Sequence, residues 1–217
     1  MPSMKVPSPR WHRRPEARPD EILEAALTVF GERGFARARL EDVARHAGVS
    51  KGTVYLYFDS KDTLFREMVR AIKGRAFAEA EEYIEKSKAS ARETLTGLMH
   101  MMWFHMSDPR QAMMSRLVQS EIGSFPELAR FYFEEVTLRG RRLLERILAR
   151  GVANGEFRPE QARFAARAIP ALSLMLSGLH CFFSKYDPEP QSPEGLAEGV
   201  LDLVLNGVLA HGPESGR

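Results

Sequence analysis

Along most of this chain apolar residues return every three or four positions, and nowhere do they alternate over the length of a strand. Ile22, Ala25, Ala26, Val29 and Phe30 open the pattern. Asp20 and Glu21 precede them as acids suited to a helix N-terminus, and Gly34 follows as a left-handed cap. Two short elements come next, near residues 40–46 and 51–58. Longer amphipathic stretches are predicted at 60–86, 91–106, 109–123, 126–154, 160–185 and 193–211. Asp108-Pro109, Phe125-Pro126, Gly155 with Pro159, and the proline-rich run at 187–193 separate them. The expected fold is all-α, an N-terminal three-helix unit followed by a helical bundle, about nine helices in all.

The stretch from Leu40 to Phe58 carries the most information. Val43, Ala44 and Ala47 share one face of a short helix, Gly48 permits the left-handed backbone of a tight turn, and Val49 fills the gap that follows. Ser50 is a good N-cap for the next helix, in which Val54 packs back against the first. Lys51, Gly52, Thr53, Tyr55 and Leu56 are left facing outward. This is the pattern of a helix-turn-helix, whose second helix presents its N-terminal residues to DNA base edges.

With its flanks, this segment resembles the DNA-binding domain of the TetR family of bacterial regulators. Gly34-Phe35, the run AGVSKGTVYLYF from Ala47 to Phe58 and the SKDTLF block from Ser60 to Phe65 carry the resemblance, which covers about residues 20–72. It implies that Lys51, Gly52, Thr53, Tyr55 and Leu56 face the major groove, that Tyr57 touches the backbone and that Lys61 holds a phosphate. Arg39 departs from the pattern, because the family places Ser or Thr there; its guanidinium could reach a phosphate by another route. Tyr55 and Tyr57 could also serve as packing residues, and Leu56 could only read a thymine methyl or fill space.

Net charge is only +2, but residues 1–75 carry 15 Lys and Arg against 10 Asp and Glu, whereas residues 76–217 carry 16 against 19. The basic front suits a polyanionic partner. Residues 1–18, with four prolines and Arg10, Arg13, Arg14 and Arg18, read as a disordered basic arm, residues 19–66 as the DNA-binding domain and residues 67–217 as an effector-binding and dimerisation domain. A single cysteine, Cys181, cannot form an internal disulfide, and neither a secretory leader nor a membrane span is recognisable, so a cytoplasmic location is expected.

One short recognition helix reads few base pairs, so a homodimer on a palindromic operator is expected. Leu176, Leu179 and Phe183, with Leu196, Val200, Leu203, Val204 and Val208, form the candidate dimer surface, in keeping with the last two helices through which the family dimerises. Six methionines fall between residues 99 and 114. Methionine adapts its shape, so Met99, Met102, Trp103, Met106, Met113, Phe131, Leu172, Met175 and Leu176 are candidate walls for a small apolar effector, ordinary core being the competing reading. None of the six histidines follows a Glu by three positions, and no HExxH, G-x-S-x-G or phosphate-binding glycine loop occurs. No catalytic, cofactor or metal site is expected. The function read here is a sequence-specific transcriptional regulator, a repressor released by ligand; an activator or a ligand-independent architectural DNA-binding protein are the alternatives.

Overall fold

The computed structural model describes residues 18–208, apart from the side chains of Arg18, Cys181, Phe182, Pro193 and Val208. The basic arm and the candidate dimer contact Val208 therefore lie outside what is described. Ten α-helices follow in order: α1 (Arg18–Arg33), α2 (Leu40–His46), α3 (Lys51–Tyr57), α4 (Lys61–Lys86), α5 (Ala91–Met106), α6 (Pro109–Glu121), α7 (Pro126–Tyr132), α8 (Leu138–Ala153), α9 (Pro159–Phe183) and α10 (Pro193–Val208). A π-helical segment, Phe133–Thr137, joins α7 to α8, so the stretch expected as one long helix is a single rod with a widened turn inside it. The molecule is all-α, as its periodicity predicts, and none of its helices among the described residues is long and apolar enough to cross a membrane.

Helix ends follow local chemistry. Gly34 and Gly48 take φ of 79° and 65°, the left-handed conformation that other residues adopt only with strain. Ser50, Ser60, Ser90 and Asp108 each accept a backbone N–H of the first turn of the helix they precede. Pro126 and Pro159 occupy first-turn positions, where a missing N–H costs nothing.

Two hydrophobic cores result. The first is built by α1–α3 and the early turns of α4, with Ile22, Phe30, Val54, Leu64 and Phe65 almost wholly shielded from solvent. It does not stop at the head, since Met114, Leu117 and Val118 of α6 and Leu128 and Phe131 of α7 belong to it. Phe35 stands edge-on to Phe30, Phe65 and Phe125 at centroid distances of 5.3, 5.4 and 4.9 Å, so an aromatic ring from the C-terminal part completes the head's cluster. The second core holds Ala80 and Ile84 of α4, Leu95 and Met99 of α5, Leu144 and Ile147 of α8, Ile169 of α9 and Val200 and Val204 of α10. Helix α4 thus runs from one core into the other.

Candidate functional site

The head is a helix-turn-helix set by its turn. At the end of α2, Val49 N–H donates to the carbonyl of Ala44 at 2.9 Å and Gly48 N–H to that of Arg45 at 3.3 Å, the paired bonds of a Schellman cap that only a left-handed residue at Gly48 allows. Ser50 Oγ then accepts Thr53 N–H at 3.1 Å and shares a 2.8 Å hydrogen bond with the Thr53 hydroxyl, starting α3. Val54 is fully buried between the two helices, as are Val43 and Ala44, while Ala47 and Val49 are partly buried against the same core. What α3 turns outward is large and apolar: Tyr55, Leu56 and Tyr57 are 43%, 78% and 37% exposed. Lys51 and Gly52 are exposed beside them and Thr53 is half-buried.

Electrostatics fix the neighbours of that face. Lys51 pairs with Glu41 across the turn, and that hydrogen bond raises the Lys51 pKa and lowers that of Glu41. The Lys51 ammonium also lies 5.4 Å from the Tyr55 ring centre. Asp42 accepts the Arg39 backbone N–H at 3.3 Å and pairs with Arg33 at 2.8 Å and Arg45 at 3.3 Å, tying α1 to α2. The Arg39 side chain is exposed, with no ion pair among the described residues. Lys61 is engaged within the fold. Its Nζ donates to the carbonyls of Phe35, Ala36 and Ala38 at 2.6, 3.2 and 3.2 Å and sits 4.5 Å from the Phe35 ring centre. All three ammonium donors are used within the fold, so Lys61 is a clasp on the α1–α2 loop and reaches a phosphate only by giving up those bonds.

Where the two cores meet lies a cavity of about 460 Å³. Met99, Met102 and Met106 line it as expected, together with Phe77, Tyr132 and Leu174. The π-helical segment contributes Val136 and Thr137, and α9 contributes Pro170, whose missing N–H leaves the Ala166 carbonyl without its helical partner. The other candidate wall residues are elsewhere. Trp103 is packed in the second core, Met113 and Phe131 belong to the first, Leu176 is packed against the second, and Leu172 and Met175 are exposed on α9. Met113 faces α1, where a Cβ on Gly31 would fall 2.6 Å from its Cγ; Phe131 lies under the guanidinium groups of Arg66 and Arg70, 4.7 and 5.2 Å from its ring centre.

Sequence reasoning missed Lys73, Gln111, Arg141 and Arg167 among the cavity's polar groups. Gln111, buried, donates Nε2–H to the Ile72 carbonyl at 2.9 Å and accepts from Lys73 Nζ at 2.5 Å, clamping α6 to α4. His105 stands 3.0 Å from Glu79, and Arg141 and Arg167 complete the basic lining. The signal available was spacing: Lys73, Phe77 and Ala80 share one helical face.

Among the candidate dimer residues, Val200 and Val204 are buried and Leu176 and Leu196 are packed against the same core, so they hold α9 and α10 to their own protomer. Leu179, Phe183 and Leu203 are 44%, 56% and 65% exposed. With Leu172 and Met175 they make an apolar stripe along α9 and α10.

A helix-turn-helix at one end of a helical bundle that holds a cavity is the architecture of a one-component DNA-binding regulator. The family profile of the bacterial regulatory proteins of the tetR family matches residues 22–68, and that of the AefR-like transcriptional repressor C-terminal domain matches residues 93–206. The chain is 32% identical over 154 residues to the HTH-type transcriptional repressor KstR2 of Mycolicibacterium smegmatis, covering 70% of this chain and 74% of that one. It is 27% identical over 190 residues to the fatty acid metabolism regulator protein of Bacillus subtilis, with 87% and 94% covered. The solved structure of the transcriptional regulator FadR from Bacillus subtilis in complex with stearoyl-CoA superposes with a TM-score of 0.73 at 25% identity, over 87% of this chain and 98% of that one. The chain belongs to the TetR family of transcriptional regulators.

Proposed function

We propose that this chain is a transcriptional repressor that binds a palindromic operator as a cytoplasmic homodimer and is released from it by an apolar ligand held between the two cores. The observation that carries the reading is the outward face of α3. Large apolar side chains cost free energy when left in water, and here Tyr55, Leu56 and Tyr57 are displayed next to Lys51 and Thr53 on a helix fixed by the Gly48 turn. Lys51, Gly52, Thr53, Tyr55 and Leu56 face the major groove; Arg39 and Tyr57 meet the backbone. The apolar stripe on α9 and α10 supplies the self-complementary surface that a two-fold dimer needs. The repressor names of the relatives support the sign of regulation, and the stearoyl-CoA bound by FadR supports a lipophilic effector.

Helix α6 offers the route from cavity to head. Gln111 and Ser115 line the cavity, while Arg110 pairs with Glu24 of α1, Met113 packs on Gly31, and Glu121 accepts the Ala36 N–H at 3.1 Å. A ligand that prefers one position of α6 biases the head by the ratio of its affinities for the two states. Selection of bound sequences from random DNA with the purified protein tests the reading. A symmetric site with half-sites about one helical turn apart is expected, whereas uniform, salt-sensitive coverage without a motif would refute it.

A further inference from the structure

The cavity wall is lopsided in charge. Its body is apolar, with Phe77, Met99, Met102, Met106, Leu143 and Leu174, yet three cationic side chains, Lys73, Arg141 and Arg167, also line it and no aspartate or glutamate does among the described residues. Two of the three have limited company. Lys73 donates to the neutral amide oxygen of Gln111 and forms no ion pair among the described residues. Arg141 is ion-paired with Glu145 at 3.3 Å, yet its Nε is buried without a hydrogen bond, so Lys73 is the cation left without a counter-ion among the two. An ammonium taken out of water with no counter-ion is costly, and folds keep such a group where something else completes it. Burial also pulls the Lys73 pKa from 10.5 to about 8, so the group is still mainly cationic at neutral pH.

We propose that the cavity takes an amphipathic carboxylic acid, its carboxylate received by Lys73 Nζ beside Gln111 and its apolar body lying among the methionines of α5. Lys73 has three donors and spends one on Gln111, so the carboxylate is bound without breaking the clamp between α4 and α6. Arg141 adds a second positive group to the same wall. The volume of about 460 Å³ lies within the range that encloses one drug-sized molecule. A neutral ligand of the same shape leaves Lys73 uncompensated, and a cationic one adds like charge. The inference names the ligand class for the regulator proposed above and rests on that reading only for the effect on DNA.

Calorimetric titration of the full chain at pH 7 with dodecanoate, dodecanol, dodecyltrimethylammonium and dodecanoyl-CoA tests it. Dodecanoate is expected to bind more tightly than dodecanol and the cation to bind weakest. Lys73→Met should weaken dodecanoate by about tenfold or more while shifting dodecanol by less than about twofold, because only the charged ligand loses a partner. Lys73→Arg should keep the preference. Gln111→Glu, which places a carboxylate against Lys73, should abolish it with dodecanol binding retained, so a misfolded Lys73→Met does not end the test. Equal affinity for dodecanoate and dodecanol in the wild type overturns the proposal, and so does dodecanoyl-CoA binding where dodecanoate does not. Lys73-dependent dodecanoate binding that leaves operator affinity unchanged upholds the acid site and defeats the regulatory reading. Release of operator by dodecanol alone does the reverse.

Discussion

Replacing Lys73 by Met should stabilise the protein at neutral pH, although it removes a hydrogen bond. Burial moves the Lys73 pKa from 10.5 to about 8, and at 1.36 kcal/mol per unit that gap amounts to about 3 kcal/mol against folding while the side chain is charged. Against this stands the loss of the contact with Gln111, whose Oε1 is left without its donor in a half-enclosed site, roughly 1–2 kcal/mol. Gln111 Nε2 still holds the Ile72 carbonyl, so the clamp is weakened and not lost. The net expectation at pH 7 is a gain of about 1–2 kcal/mol for Lys73→Met. The pH dependence carries the signature. The folded-state value lies below the unfolded one, so between about pH 8 and 10.5 the unfolded chain holds a proton that the folded chain has released, and wild-type stability rises there relative to the variant. Below pH 8 the full penalty is present. Urea unfolding of both proteins at pH 7 and pH 10 should show the variant's advantage shrinking by about 2 kcal/mol. A difference that stays flat across that range, or a variant less stable at both pH values, would mean that the Lys73 charge is already compensated, and the case for an anionic ligand would lose its physical basis.

Three further outcomes are expected. Gly48→Ala should cost about 1–2 kcal/mol from the left-handed backbone alone, since a Cβ there meets nothing within 4 Å; Gly48→Asn should cost less, and equal melting temperatures for Ala and wild type would refute the turn argument. The pair Leu179→Glu and Leu203→Glu removes apolar groups already exposed in the protomer, so circular dichroism should be unchanged while sedimentation shows a monomer with weakened operator binding; a dimer that persists would place the interface elsewhere. Glu121→Ala takes away the acceptor of the Ala36 N–H, so hydrogen exchange in the α1–α2 loop should quicken while the amides of α3 keep their protection. Unaltered exchange at Ala36 would remove α6 as the tie to the head.

What could be read from the sequence was what local chemistry decides. The helix-turn-helix needs a left-handed Gly48, a hydroxyl at Ser50 and an apolar Val54, all within eleven residues of Ala44, and the structure uses each of them. The helix ends at Gly34, Asp108 and Pro126 follow from the same rules. Assignments that depend on tertiary placement went astray. Met113 and Phe131 look like their neighbours in composition, but α6 and α7 present one face to the head and another to the cavity, and periodicity does not say which partner each face meets. Helix α10 is apolar on more than one side, so Leu196, Val200 and Val204 could not be told from Leu203 until α9 was seen to cover them. The partners of Lys61 in the free protein were not legible either, because nothing in its own segment reveals three carbonyls across the loop, 23 to 26 residues away in sequence.

The placement of the cavity matters more than its size. A pocket enclosed by one core can bind a ligand without consequence for anything distant, because the packed walls move together. Here α4 enters the first core through Leu64, Phe65 and Met68 and the second through Ala80 and Ile84, with Lys73, Ala76 and Phe77 lining the space between. Helix α6 has the same divided allegiance, Met114 and Leu117 packed in the first core and Gln111 against the cavity. In the regulator proposed above, a ligand in that space touches both elements that carry the head, and a preference for one spacing of α4 and α6 would bear on the α1–α2 loop, where Glu121 holds Ala36 and Lys61 holds Phe35, Ala36 and Ala38. The clasp by Lys61 acquires its meaning from this arrangement. It joins the first residue of α4 to the same loop that α6 holds through Glu121, so in the regulator proposed above that loop is where displacements of both helices would meet before α2 and α3.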